Sequence, residues 1–299
     1  MKRFITLMLL LLATNCVFAQ SNVDEHQWKA TLKVVDEAGS PVAGAGVKVG
    51  YYTNNTSVDI TGTTDANGIF VASHTTSTFN YIEYGLAFVV EKDGYYETRL
   101  NCELGIPYDS TKWNPTVSLL LKRVGKPIAM YAKKYVMGLN LPEYNKQIGY
   151  DFMIGDLVGP YGKGINSDIF FTENHADEKS GYTFTIGFPK EGDGIQEFIL
   201  PDREMGSGLR SPHEAPVDGY QPKHEQTQMP NPNRIYLFRV RTAKDHAGNI
   251  VSAHYGKIYG DFMQFTYYLN PTPNDRNIEF DPKQNLLGGL QSFEGVNAP

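Results

Sequence analysis

Lys29-Ala30-Thr31-Leu32-Lys33-Val34, followed by Asp36-Glu37-Ala38-Gly39-Ser40-Pro41, is the stretch that decides the fold. Its alternation sets Ala30, Leu32 and Val34 on one face, the period of a half-buried strand. The next residues carry turn chemistry, with Gly39 supplying the positive φ that a tight reversal needs. Val47 and Val49 then resume a second strand. The same grammar recurs at Thr63-Thr64-Asp65-Ala66-Asn67-Gly68 before Ile69-Phe70-Val71, and at Glu91-Lys92-Asp93-Gly94-Tyr95-Tyr96 after the apolar Leu86-Ala87-Phe88-Val89-Val90. Thr116 to Leu121 closes the series. About seven short strands between such turns predict a β-sandwich over residues 27–123.

The series Asp36, Gly39, Pro41-Val42, Gly44-Ala45, Val47, then Thr64 to Phe70, then Gly94-Tyr95 resembles the carboxypeptidase regulatory-like domain. That resemblance implies a transthyretin-type, Ig-like sandwich and no particular activity, because one fold hosts many functions. Asp65-Ala66-Asn67-Gly68 also shares residues with a calcium loop, but no closing Glu follows at the required spacing. It reads as a plain turn.

The sequence has 299 residues, 41% of them hydrophobic and 20% charged, enough for two cored domains. Val124-Gly125-Lys126-Pro127 is the predicted linker. A second β-rich domain is expected over 128–283, so the chain is all-β, with strands at Ile128 to Leu139, Ile148 to Phe152, Asp168 to Thr172 and Tyr182 to Phe188. Further strands are expected at Gln196 to Leu200, Arg234 to Thr242, Asn249 to Tyr259 and Gln264 to Leu269. In Tyr236-Leu237-Phe238-Arg239-Val240-Arg241 the alternation predicts a core face and a solvated face. Met205 to Asn233, rich in proline, reads as a long break. Residues 284–299 read as a mobile tail, with order ending at Phe280.

Residues 1–19 read as a signal peptide: Lys2 and Arg3 precede the apolar Ile5 to Ala13, and Val17-Phe18-Ala19 offers the cleavage site. An exported protein, periplasmic or at the cell surface, is expected. Cys16 raises lipoprotein processing as a rival, disfavoured by Asn15 before it. No later apolar run reaches the roughly 18 residues of a membrane span. With a net charge of −6 and no run of Lys or Arg, nucleic acid is excluded as a partner.

Catalytic patterns fail one by one. Gly206-Ser207-Gly208 is not a nucleophile elbow, Gly159 to Gly164 is not a phosphate loop, and His175-Ala176-Asp177-Glu178 lacks the distant third histidine of a zinc peptidase. Cys102 reads as a small buried hydrophobe. His213-Glu214 and His224-Glu225 supply imidazole and carboxylate ligands, so His213, His224 and Glu225 are the candidate metal set, in a spacing that matches no standard motif. The doublets at Tyr51, Tyr95 and Tyr267 each place one of two tyrosines outward, where it can stack on a sugar. The resulting expectation is a non-catalytic binding, adhesion or accessory module of a bacterial envelope, without cofactor, whose partner is a glycan or an envelope protein. The alternative is a secreted hydrolase with its site between His213 and Glu225.

Overall fold

The structure, a computed structural model, describes residues 26–52, 57–76, 85–103, 112–175, 182–200, 206–226, 231 and 233–299. The expected signal peptide with Cys16, residues 176–178 of the polar turn, and Met205 lie outside them. So does the side chain of Cys102. Among the described residues every regular element is a strand, and no helix is long and apolar enough to cross a membrane.

Strand β1 (His26–Val35) holds the predicted alternation: Ala30, Leu32 and Val34 are fully buried. It pairs antiparallel with β4 (Ile69–Thr76) and parallel with β7 (Lys112–Trp113) and β8 (Thr116–Leu120). A second sheet runs in the order β3 (Ser57–Thr63), β2 (Gly46–Tyr52), β5 (Gly85–Glu91), β6 (Thr98–Glu103). Val47, Val49, Phe88 and Val90 from this sheet meet Leu32, Val34, Ala72 and Leu119 from the first in one apolar cluster. Each of the valine, leucine and phenylalanine side chains contributes about 1.5–3 kcal/mol on burial. The reversals use the glycines the sequence offered: Gly39, Gly68 and Gly94 have φ of 78°, 71° and 81°. At the Gly68 turn, Asp65 Oδ1 accepts the amides of Asn67 and Ile69 at 2.9 and 2.8 Å, so its carboxylate is bound to backbone.

The C-terminal half adds a five-stranded and a six-stranded sheet. The first is ordered β11 (Asp156–Leu157), β10 (Ile148–Asp151), β12 (Ile169–His175), β13 (Tyr182–Gly187), β15 (Lys223–Gln226). The second is ordered β14 (Gly194–Ile199), β16 (Arg234–Lys244), β17 (Ile250–Gly260), β18 (Phe265–Leu269), β9 (Ile128–Lys134), β19 (Phe280–Asn285). Tyr150, Phe152 and Phe171 pack against Phe238, Phe265 and Tyr267 between them, with Phe152 stacked on Phe238 at 4.7 Å.

Three expectations are corrected here. The proline-rich break contains strand β15, and Ser207 bridges Thr98 of β6. The tail is docked: Glu294 pairs with Lys133 at 3.0 Å, Tyr268 donates to the Ala298 carbonyl, and Val296 is buried. Strand β16 is buried on both faces, because Leu237 joins Leu200, Ala215 and Ile278 on the side expected to be wet. Arg239, also on that side, donates to the carbonyls of Gly192 and Val217. Arg241 leaves the alternation altogether. A register shift between Val240 and Ala243 coincides with its φ of 57°, and it reaches Asp168 at 2.7 Å and Asp151 at 2.8 Å instead. A bulge re-aims one side chain in this way.

Candidate functional site

The hollow at one end of the N-terminal sandwich is built by the β5–β6 turn. Residues from this turn line it together with Gly44 and Gly46, before and at the start of β2, which contribute no side chains. The resulting cavity, about 710 Å³, is lined by Gly44, Gly46, Glu91, Lys92, Gly94 and Tyr95 among others, with Asp93 and Glu97 completing an acidic rim. Along the outer face of the sheet a second hollow of about 350 Å³ shares Gly46 and Glu91 with it and continues past Lys48, Thr61 and Val89. Tyr95 is half-buried at the wall. The Arg123 guanidinium lies 4.8 Å from its ring centroid and the Lys92 ammonium 6.0 Å. Such cation–π contacts fix the ring's position. Volumes of this order suit a small or extended ligand, and the lining offers carboxylates and an ammonium as hydrogen-bonding groups.

The other sequence candidates are dispersed. Tyr51 is buried, its hydroxyl donating to the Ala72 carbonyl at 3.2 Å and pushed up to about 12 by burial. Tyr267 is fully buried and donates to the Phe152 carbonyl at 2.9 Å. Neither Tyr51 nor Tyr267 is therefore an outward ring, since each packs in a core; Tyr268 is buried as well, and the side chain of Tyr52 lies outside the described residues. His224 lies on β15 against Tyr236 and Phe262, at centroid distances of 5.1 and 5.5 Å. Burial holds its imidazole below the ordinary histidine range, against the pull of Glu197. Glu225 alternates to the exposed face of the same strand, 3.7 Å from Lys223. His213 is elsewhere again, with carboxylates on both ring nitrogens. Among the described residues no three His, Cys, Asp or Glu side chains group to hold a metal ion.

What sequence reading missed is a polar junction where the two halves meet. Glu279, 1% exposed at its side chain, accepts Tyr96 Oη at 2.5 Å, the amides of Gly125 and Lys126 at 2.8 and 2.7 Å, and faces His213 Nδ1 at 3.1 Å. Burial alone would raise this carboxyl, but the donors from Tyr96, Gly125, His213 and Lys126 outweigh it and hold it below the usual range. A Cβ at Gly125 would lie 2.6 Å from Glu279 Oε2, so any other residue here displaces that carboxylate. Beside the junction, Lys122 donates to the Ser211 carbonyl at 3.0 Å, and the fully buried Lys257 donates to Ser211 Oγ at 2.9 Å. Burial drives the Lys257 amine well down, with the like charge of Lys122 adding to it and Glu279 opposing. It packs against the rings of Tyr259 and Tyr268 at 5.3 and 4.7 Å. The only signal available in the sequence was a lone Glu between Ile278 and Phe280, both of which are core.

No family model matches the chain, and no curated protein matches it. Among solved structures it is similar to 3-chlorocatechol 1,2-dioxygenase from Rhodococcus opacus 1CP, with 14% identity over 33% of this chain and 60% of that one, at a TM-score of 0.25. It is also similar to the shaft pilin SpaA of Lactobacillus rhamnosus GG, with 14% identity over 57% of this chain and 90% of that one, at 0.23. A third is a DUF3823 family protein from Parabacteroides merdae, with 9% identity over 86% of this chain and 99% of that one, at 0.22. The chain spans about 60% of the length of the dioxygenase it matches.

Proposed function

We propose that this chain is an exported, non-catalytic binding or accessory module of a bacterial envelope, with its ligand in the hollow at Tyr95. The observation that carries the reading is the hollow itself: a concavity lined by Gly44, Gly46 and the carboxylates Glu91, Asp93 and Glu97, prolonged along the sheet by a second one. A groove of that shape, lined at its wider end mainly by glycines and charged side chains, suits a hydroxyl-rich chain such as an oligosaccharide. Carboxylates and Lys92 would bond its hydroxyls while the sandwich stays rigid. The transthyretin-type resemblance of residues 27–123 and the leader-like first 19 residues support the same reading, because such a sandwich presents turn residues at its ends.

The test is a glycan array and a cross-linking pull-down with the mature protein, followed by titration of any hit against Gly46→Arg and Tyr95→Ala. The arginine would project into the hollow from β2, and loss of binding by more than about ten-fold, with the fold intact by circular dichroism, is expected for both variants. A ligand bound equally well by both would place the site elsewhere. An array and a pull-down that both stay empty would overturn the binding reading.

A further inference from the structure

The charges that line the hollow at Tyr95 do not balance. Glu91, Asp93 and Glu97 stand there with a single ammonium, that of Lys92. The cations around it are engaged elsewhere. Lys92 Nζ donates to the Ala43 carbonyl. Arg99 takes up Glu97, and Lys48, in the second hollow, lies 2.6 Å from Asp59. Arg123 lies 3.6 Å from Asp36 and over the Tyr95 ring. Two exposed carboxylates remain, Glu91 and Asp93, which accept no hydrogen bond and form no ion pair among the described residues. An ionised carboxylate only accepts, so the wider hollow suits a ligand that brings both donors and positive charge. The second hollow differs, because Lys48 is paired, Thr61 offers a hydroxyl, and Glu91 is shared between the two. It suits a neutral, hydroxylated segment.

We propose that the hollow selects an amino sugar with a free amine, its ammonium at Glu91 and Asp93 and the next units of the oligosaccharide running along the second hollow. The inference rests on the reading that this hollow holds a glycan, and it adds the charge that discriminates between glycans. An ammonium has three N–H donors, enough to serve both carboxylates, and acetylation would remove the charge and two of those donors. An extended basic peptide would bring the same charge but fits this sheet less well. Its backbone N–H and C=O groups need partners of their own. Strand β2 is already paired with β3 and β5, and β5 with β2 and β6, so neither has a free edge. Side chains alone meet a ligand lying across these strands, and a few placed polar side chains are what orients a hydroxylated ligand.

The experiment is calorimetric titration of the full chain at about pH 6, where a sugar amine is protonated. Two tetramers of one backbone are compared: chitosan tetramer, whose units carry free amines, and chitin tetramer, in which every amine is acetylated. Chitosan tetramer is expected to bind about ten-fold more tightly, the size of two ion pairs at exposed carboxylates. Glu91→Gln and Asp93→Asn should each weaken it about three-fold and together about ten-fold, while leaving the chitin tetramer unaffected. Both side chains are exposed and unbonded, so the fold should be kept. Chitin tetramer bound as tightly as chitosan tetramer, or a double variant that binds chitosan tetramer at full strength, would overturn the amine assignment. The glycan reading would survive either result if Gly46→Arg still removed binding. Tetralysine bound as tightly as chitosan tetramer would overturn the assignment to a sugar. No binding of either tetramer would also overturn the inference, and the wider glycan array would then decide the glycan reading by itself.

Discussion

Replacing Glu279 by alanine removes the one acceptor that four donors from three separate segments share. Tyr96 Oη, the Gly125 and Lys126 amides and His213 would all lose their partner inside a site where the carboxylate is 1% exposed. Bonds to a charged group are worth about 1.5–3 kcal/mol each but do not add, and removing one member of a buried charged set costs about 3–5 kcal/mol. We take about 4 kcal/mol. At about 2–4 °C per kcal/mol for a folding unit of this size, the melting temperature should drop by about 8–15 °C. Glu279→Gln keeps the volume and one acceptor oxygen but turns an NH₂ group toward N–H donors, so it should lose about half as much. The carboxyl is held below its ordinary range in the folded state. A depressed carboxyl contributes stability that is present above the ordinary carboxylate range, near pH 4.3, and lost as pH falls through the lowered value. Calorimetry from about pH 7 down to 3 should therefore show the wild type losing part of its advantage over Glu279→Gln at the acid end. A variant melting within about 2 °C of the wild type, or an acid profile parallel to it, would refute the view that this carboxylate holds the junction.

Two further outcomes follow from buried groups. The Lys257 amine is driven well down by burial, so between that lowered value and the ordinary lysine range the unfolded chain binds a proton that the folded one does not. Stability should then rise with pH until the ordinary lysine value near 10.4, and Lys257→Met should abolish that rise and raise the urea midpoint at pH 7; a midpoint lowered by the substitution would sink the argument. Gly68→Ala should cost about 2–3 kcal/mol, because φ is 71° and a Cβ would meet the Val34 carbonyl oxygen at 2.4 Å. At Gly94, where φ is 81° but the surrounding space is open, the same change should cost only about 1 kcal/mol. Equal costs at the two sites would show that contact plays no part.

What could be read from sequence was what is local. Ala30, Leu32 and Val34 announce their strand by period, and Gly39, Gly68 and Gly94 announce their turns by the positive φ that other residues resist. Strand β16 shows the limit. Its alternation is real, but whether the second face is wet depends on Ala215 and Ile278, remote in sequence, which cover Leu237. Arg241 was unreadable for another reason: a single left-handed residue at a bulge reverses its face and hands it to Asp151 and Asp168. The tyrosine doublet at Tyr267 failed because its strand lies between two packed layers, whereas the doublet in the β5–β6 turn kept half-exposed rings at Tyr95 and Tyr96. His213 and Glu225 looked alike on paper because adjacency to a carboxylate or a histidine says nothing about which way either side chain points.

The proline-rich segment explains how so irregular a stretch becomes the structural centre of the chain. Leu209, Ser211 and Ala215 are fully buried, Ser207 bridges β6, His213 reaches Glu37, and Tyr220 donates to the Pro216 carbonyl at 2.8 Å. Prolines at 212, 216 and 222 reduce the entropy that ordering such a segment costs. The covalent linker, residues 124–127, is short, and two of its amides are already spent on Glu279. Docking of the halves thus rests less on the linker than on a segment remote from it in sequence. The β5–β6 turn that lines the hollow ends in Tyr96, whose hydroxyl is bound to Glu279. The hollow and the junction therefore share one turn, so a substitution that displaces residues 92–97 acts on both.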